Sequence, residues 1–188
     1  MRRRLAPFAC AASIAALLAA LLSPPLAAQD ERPFRPFDRE AFVAHLRTLG
    51  ADDAAVAAFA ADADAAGLGA AADDLLQRLV PAYGAAVERA LDGDPRAALE
   101  LAACVAGDDP YLRAHGRYHL GRVFLDADDP EAAVEIFAEF LREDRNRTPL
   151  DADVAFFYAS ALADIPLTEP AIRAFDKYLT LFPDATAR

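Results

Sequence analysis

Leu120-Gly121-Arg122-Val123-Phe124-Leu125-Asp126-Ala127-Asp128-Asp129-Pro130-Glu131-Ala132-Ala133-Val134-Glu135-Ile136-Phe137 is the stretch on which the fold turns. It places a leucine–glycine pair and an aromatic before an acidic turn, and small residues and a second aromatic after it. Asp128-Asp129-Pro130 ends one helix and opens another, because aspartate accepts from the free N–H groups of a first turn and proline has no N–H to lose there. The turn has echoes. Asp94-Pro95-Arg96-Ala97-Ala98-Leu99 matches Asp129-Pro130-Glu131-Ala132-Ala133-Val134, and Glu169-Pro170-Ala171-Ile172-Arg173-Ala174-Phe175 repeats it with the proline displaced by two positions. Aligned on Ala98, Ala133 and Ala171, the copies lie 35 and 38 residues apart. Self-similarity at such a period marks a stack of supersecondary units, each unable to bury its apolar face alone.

Composition agrees with helices. Hydrophobic residues make up 55% of the 188, and much of that share is alanine, which loses no side-chain entropy in a helix and lets helices approach closely. Glycine is scarce at 8 residues, and alternating runs of Val, Ile, Thr and Tyr are missing, so the expectation is all-α. The small-residue pattern and its period resemble the tetratricopeptide repeat, whose unit is about 34 residues. The middle copy carries Leu120-Gly121, Phe124, the Asp-Pro turn, Ala133 and Phe137; the third carries Tyr158-Ala159, Leu162, Ala171, Phe175 and Pro183. The close of the third, Ala174-Phe175-Asp176-Lys177-Tyr178-Leu179-Thr180-Leu181-Phe182-Pro183, is similar to repeats of Gram-negative envelope and periplasmic members of that family. The resemblance implies a right-handed superhelical stack of antiparallel helix hairpins, an α-solenoid, over residues 79–188. Its units fall at about 79–112, 114–147 and 152–185. The first departs from the pattern: Ala85-Ala86 and Arg89 stand at the Leu-Gly and aromatic positions, and Ala102 replaces the large residue of the second helix.

Residues 38–78 read as N-terminal helices, a diverged hairpin or a cap. Asp38 caps a helix to Leu49 that carries Phe42, Leu46 and Leu49 on one face and stops at Gly50. Asp52 or Asp53 caps the next, anchored by Val56 and Phe59 and ended at Gly67-Leu68-Gly69. A third begins near Asp73-Asp74 and contains Leu75, Leu76, Leu79 and Val80.

Ahead of these, Arg2, Arg3 and Arg4, an apolar run from Leu5 to Leu22, Pro24-Pro25 and Leu26-Ala27-Ala28 read as a signal peptide, 1–28, cleaved after Ala28. An uncleaved N-terminal anchor is the alternative. Residues 29–37, with two prolines, form an extended linker. Cleavage takes the basic count from 19 to 16 against 30 acids, a net charge of −14 (16 basic less 30 acidic residues). That charge disfavours nucleic acid and anionic lipid and is compatible with basic protein segments or divalent cations. Cys104, alone in the mature chain, has no internal disulfide partner and reads as a small buried residue.

Three constellations bear on chemistry. His115 and His119 stand four apart on one helix and present three possibilities, a shared metal, a groove lining or a solvated face; no glutamate follows His115, and no third ligand is evident. Asp62, Asp64, Gly67 and Asp73 count as positions one, three, six and twelve of a calcium loop, but Ala66 and Asp73 are poor at five and twelve, and a helix end with acids facing water is the plainer reading. Pairs such as Glu135 with Glu139 and Asp151 with Asp153 arise on any acidic helix, and His45 has no evident partner. Nothing points to an enzyme, a cofactor or a metal. The resemblance instead implies a partner-binding groove on the first helix of each unit, lined by Tyr83 and Val87, then His115, Tyr118, Arg122 and Asp126, then Asp153, Phe156, Ser160 and Asp164. An aromatic stripe packed under a neighbouring helix is the alternative reading of those residues. The expected function is an exported protein–protein interaction scaffold of the bacterial envelope, located in the periplasm. The alternative is a structural module of a larger repeat protein, or a homo-oligomer joined through the C-terminal helix, which has no polar cap after it.

Overall fold

Acids and prolines set the helix starts in the structure, a computed structural model that describes residues 37–144 and 147–183. The signal segment 1–28, linker residues 29–36 and the last residues of the third unit lie outside the described residues. Asp38 accepts from Ala41 N–H at 2.9 Å and opens α1, Arg39–Thr48; Asp52 accepts from Ala55 N–H at 2.7 Å and opens α2, Asp53–Ala66. Then follow α3, Leu68–Leu79, and α4, Pro81–Leu91. Next come α5, Arg96–Val105, and α6, Pro110–Asp126, whose cap Asp109 accepts from both Tyr111 and Leu112 N–H. The chain closes with α7, Pro130–Glu139, α8, Asp151–Asp164, and α9, Thr168–Leu181. All described regular structure is helical, and the described residues belong to one compact unit, Pro33–Arg188. No helix among them is long and apolar enough to cross a membrane.

The N-terminal expectation needs one correction. Gly67, at φ 92°, ends α2, but Leu68 already belongs to α3, so α3 begins five residues before Asp73 rather than beside it. Asp73 is therefore in a helix interior and not at a cap. At the other internal boundary, Phe140–Asp144 continue α7 as a π turn. Its wider winding turns both Phe140 and Asp144 inward, where each is fully buried.

From α2 onward consecutive helices pack against each other in chain order, and α4 with α5, α6 with α7 and α8 with α9 form three hairpins. The repeat residues sit at the close approaches. A side chain on Gly121 would run into the ring of Phe137, which is fully buried against it. Phe42, Leu46, Phe59, Leu75, Leu76, Tyr83, Leu101 and Leu120 form one apolar core; Ala133, Phe137, Phe140, Val154 and Leu162 lie in a second. Helix α6 serves both, with Leu120 in the first, Ala114 in the second and Phe124 touching each. Helix α1 also reaches the start of α6: the Phe42 and Tyr111 rings lie 5.1 Å apart and His45 stacks on Tyr111 at 4.6 Å. His45 thus has a partner that the sequence did not disclose. Its Nε2 is 2.9 Å from Asp109 Oδ2, close enough for an ion pair though not aligned as a hydrogen bond.

Candidate functional site

Helix α3 packs along its chain neighbours α2 and α4, and it also reaches the first helices of the two later hairpins. At its N-terminal end a methyl group on Gly69 would sit 3.2 Å from Leu150 Cδ2, just before α8, and 3.7 Å from Asp153 Oδ2 on it. In its middle, Asp73 meets His115 and His119 of α6. At its C-terminal end the Gln77 carbonyl passes so close to Gly84 of α4 that a Cβ there would lie 2.6 Å from it. Glycine at 84 is what lets the two backbones approach. The break at Val80-Pro81, where proline opens α4, turns the chain from this crossing helix into the first hairpin.

The Asp73 carboxylate is the polar centre of that crossing. Oδ1 accepts from the Tyr83 hydroxyl at 2.5 Å and faces His115 Nδ1 at 2.9 Å; Oδ2 accepts from Gln77 Nε2 at 2.7 Å and faces His119 Nε2 at 2.9 Å. Burial by itself would raise this carboxyl. The hydrogen bonds and charge of His115 and His119 outweigh burial and hold it well below its ordinary value of 3.8. Burial first, then the neighbouring Asp73 charge, pushes the Tyr83 phenol well above its usual 10.0, so it stays a neutral donor. The carboxylate is thus a permanent anion in a cradle of donors. Such a group anchors; it does not shuttle protons at neutral pH. One cradle atom lacks a counterpart, since His115 Nε2 is buried without a hydrogen-bond partner.

This arrangement places Tyr83, Val87 and His115 inside the protein, with relative exposures of 0%, 1% and 0%. The expectation that they line an open groove is corrected at these three positions: α3 covers His115 and Tyr83, and Val87 points into the first core. The remaining expected residues stay at the surface. Asp126, Asp153, Phe156 and Asp164 are exposed, and Tyr118, Arg122 and Ser160 are half-buried. Among them the structure builds one ladder. The Arg122 guanidinium lies 4.5 Å from the centre of the Phe157 ring, donates to Tyr118 Oη at 3.2 Å, and so clasps two first helices together. Phe156 joins it to the last hairpin, 5.7 Å from Tyr178 and 6.2 Å from Phe175.

The metal and calcium possibilities meet a different geometry. His115 Nδ1 and His119 Nε2 each face an Asp73 oxygen at 2.9 Å. Asp73, the twelfth position of the calcium count, is committed to those partners. Among the described residues no group of three or more His, Cys, Asp or Glu side chains is disposed around a common point. A second buried polar centre was also missed from sequence. Asp144, delivered inward by the π turn, accepts from Arg117 Nη1 at 2.5 Å and Arg113 Nε at 3.2 Å, while Arg117 Nη2 reaches Glu143 at 2.8 Å. Burial opposes the Arg117 charge, but Asp144 and Glu143 outweigh it. This cluster ties the end of α7 to α6. Beside Cys104, half-buried on α5, a shallow hollow of about 410 Å³ is lined by Ala82, Ala85, Arg89, Glu100 and Ala103.

Asp73 had a faint signal in the sequence. It precedes Leu76 by three and follows Ala72 by one, so it falls on the buried stripe of its own helix, where an ionisable group needs an explanation. Phe157 had none, since Phe156 beside it suits the repeat register better. No family model, curated protein or solved structure matches this chain.

Proposed function

We propose that the chain is an exported scaffold of the periplasm that holds a segment of another envelope protein on the first helices of its hairpins. In this reading the hairpins form a right-handed, tetratricopeptide-type superhelix. The observation that carries it is the Tyr118–Arg122–Phe157–Phe156 ladder, an aromatic and guanidinium surface shared by two successive first helices. Tyrosine and arginine carry a disproportionate part of interface energy, because each offers large contact area and a directed polar group. Exposed Asp126, Asp153 and Asp164 rim the ladder, so a segment with basic residues beside an apolar anchor fits it.

The test is alanine at Tyr118 and Arg122 in the full chain. Both side chains are half-buried and outside the two cores' centres, so helicity by circular dichroism is expected to hold. Capture of the periplasmic partner is expected to weaken by about tenfold or more, each hot-spot contact being worth about 2 kcal/mol. Unchanged capture refutes the assignment. A second reading, self-association through the last helix, has its own support: Ile172 and Leu179 on α9 are 55% and 52% exposed. Light scattering after size exclusion decides it, and a monomer at micromolar concentration removes that reading.

A further inference from the structure

Helix α3 occupies the surface that a repeat scaffold of this kind would offer to a partner. It contacts the first helix of each hairpin in turn: α8 at Gly69, α6 at Asp73, α4 at Gln77. A helix that merely extended the stack would meet only the hairpin beside it. Its contact face is also built like a ligand. Ala71, Ala72, Leu75 and Leu76 are buried in the first core, and one carboxylate, Asp73, enters a cradle contributed by other helices. Gly67 at positive φ and the Val80-Pro81 break bound the segment, so it is joined to its neighbours at two points where the helical ladder is already interrupted. The fit is incomplete, because His115 Nε2 is left buried and unpartnered beneath it.

We infer that helix 68–79 is a resident ligand of the groove, and that the cradle of Tyr83, His115 and His119 recognises a partner helix of the same chemistry: rich in alanine and leucine, with one inward carboxylate. Such a partner gains the site by displacing the resident helix, which fills its place in the first core until then. The inference deepens the proposed function and rests on it for the existence of a partner. It adds a second recognition surface, beyond the Arg122 ladder and closed in the unbound chain. Recognition is by the carboxylate, because an uncharged amide offers one acceptor and no charge where two histidines and a tyrosine hydroxyl face two anionic oxygens.

Two measurements on the full chain test this. In native-state hydrogen exchange of the unaltered protein, amides of 68–79 are expected to exchange through a partial opening at denaturant concentrations where 110–126 and 151–164 remain protected. Exchange of 68–79 only with the whole fold overturns the proposal. The second uses the Asp73→Asn chain, whose cradle has lost its own carboxylate, and a labelled synthetic peptide of residues 67–80. The peptide is expected to bind this variant at least about tenfold more tightly than the same peptide carrying asparagine at position 73, a charge-assisted contact being at stake. Equal affinities, or no binding by either peptide, overturn it. The exchange result stands whether or not the variant folds. Failure here leaves the proposed function intact, because that is read at Tyr118 and Arg122, whose side-chain hydrogen bond is to each other.

Discussion

Replacing Asp73 by asparagine removes one oxygen and one charge from the most heavily bonded carboxylate described above. The aspartate receives Tyr83 and His115 on one oxygen, and Gln77 and His119 on the other. Asparagine retains a single acceptor and turns an amide NH₂ toward two donors, so two of the four contacts become unfavourable. Breaking one side of a buried charged network costs about 3–5 kcal/mol, and Asp73 is only 9% exposed, so solvent offers little compensation. Against a total stability of about 5–15 kcal/mol this is a large fraction. The expected result at pH 7 is an exchange rate in helix 68–79 raised by about two to four orders of magnitude, with a lowered urea midpoint by circular dichroism. The pH dependence follows from the carboxyl's displacement below 3.8. Above that value both folded and unfolded chains carry the charge, and the native contribution is complete. Below it the unfolded chain takes up a proton that the folded chain still refuses, so the contribution drains away as pH falls toward the folded value. The gap between the two proteins is therefore expected to narrow below about pH 4. A difference under about 1 kcal/mol at pH 7, or a gap that widens in acid, would show that the cradle is not an energetic centre of the fold.

Two other changes probe the packing. Gly121→Val drives a branched side chain into the Phe137 ring, for which the second core offers no slack, and is expected to cost about 1–3 kcal/mol by thermal denaturation. Gly121→Val combined with Phe137→Leu should recover part of that loss, which a purely local helix-propensity effect would not allow. Asp144→Ala leaves Arg117, itself 6% exposed, without its shortest partner, and a loss of about 3–5 kcal/mol in urea denaturation is expected. Replacing exposed Glu131 by alanine, on the same helix pair, is the control and should change stability by less than about 0.5 kcal/mol.

The helices and their starts were legible because their causes are local. Asp38, Asp52, Asp109 and Asp129 each cap the helix that the aspartate announces, and Pro81, Pro110 and Pro130 stand in first turns. Gly121 stood out through its place in the repeated pattern, but only the packed structure shows that the Phe137 ring lies against it. The start of α3 was not legible, because Gly67-Leu68-Gly69 reads as a loop until the tertiary structure recruits Leu68 and Gly69 into a helix. Nor was the course of α3 legible. No residue within it says that it will reach α6 and α8 as well as its chain neighbours; that is decided by the turn at Val80 and by acceptors and donors 42 and 46 residues apart in the chain. The misplacement of Tyr83, Val87 and His115 in an open groove comes from that single miss. His115 lies on the first helix of its hairpin, and another part of the same chain covers it there.

Helix 110–126 is shared by both cores, yet the two ends of the protein lean on it unequally. Shortening the protein from the carboxyl side, by deleting 168–181, takes Ala171 and Ala174 from the second core and no buried charged residue. Shortening it from the amino side, by deleting 39–79, strips the Phe42 lid from Tyr111 and leaves two histidines and a tyrosine facing water where an anion had been. The amino-terminal helices thus bury polar groups of the middle hairpin, although the repeats carry all the visible pattern.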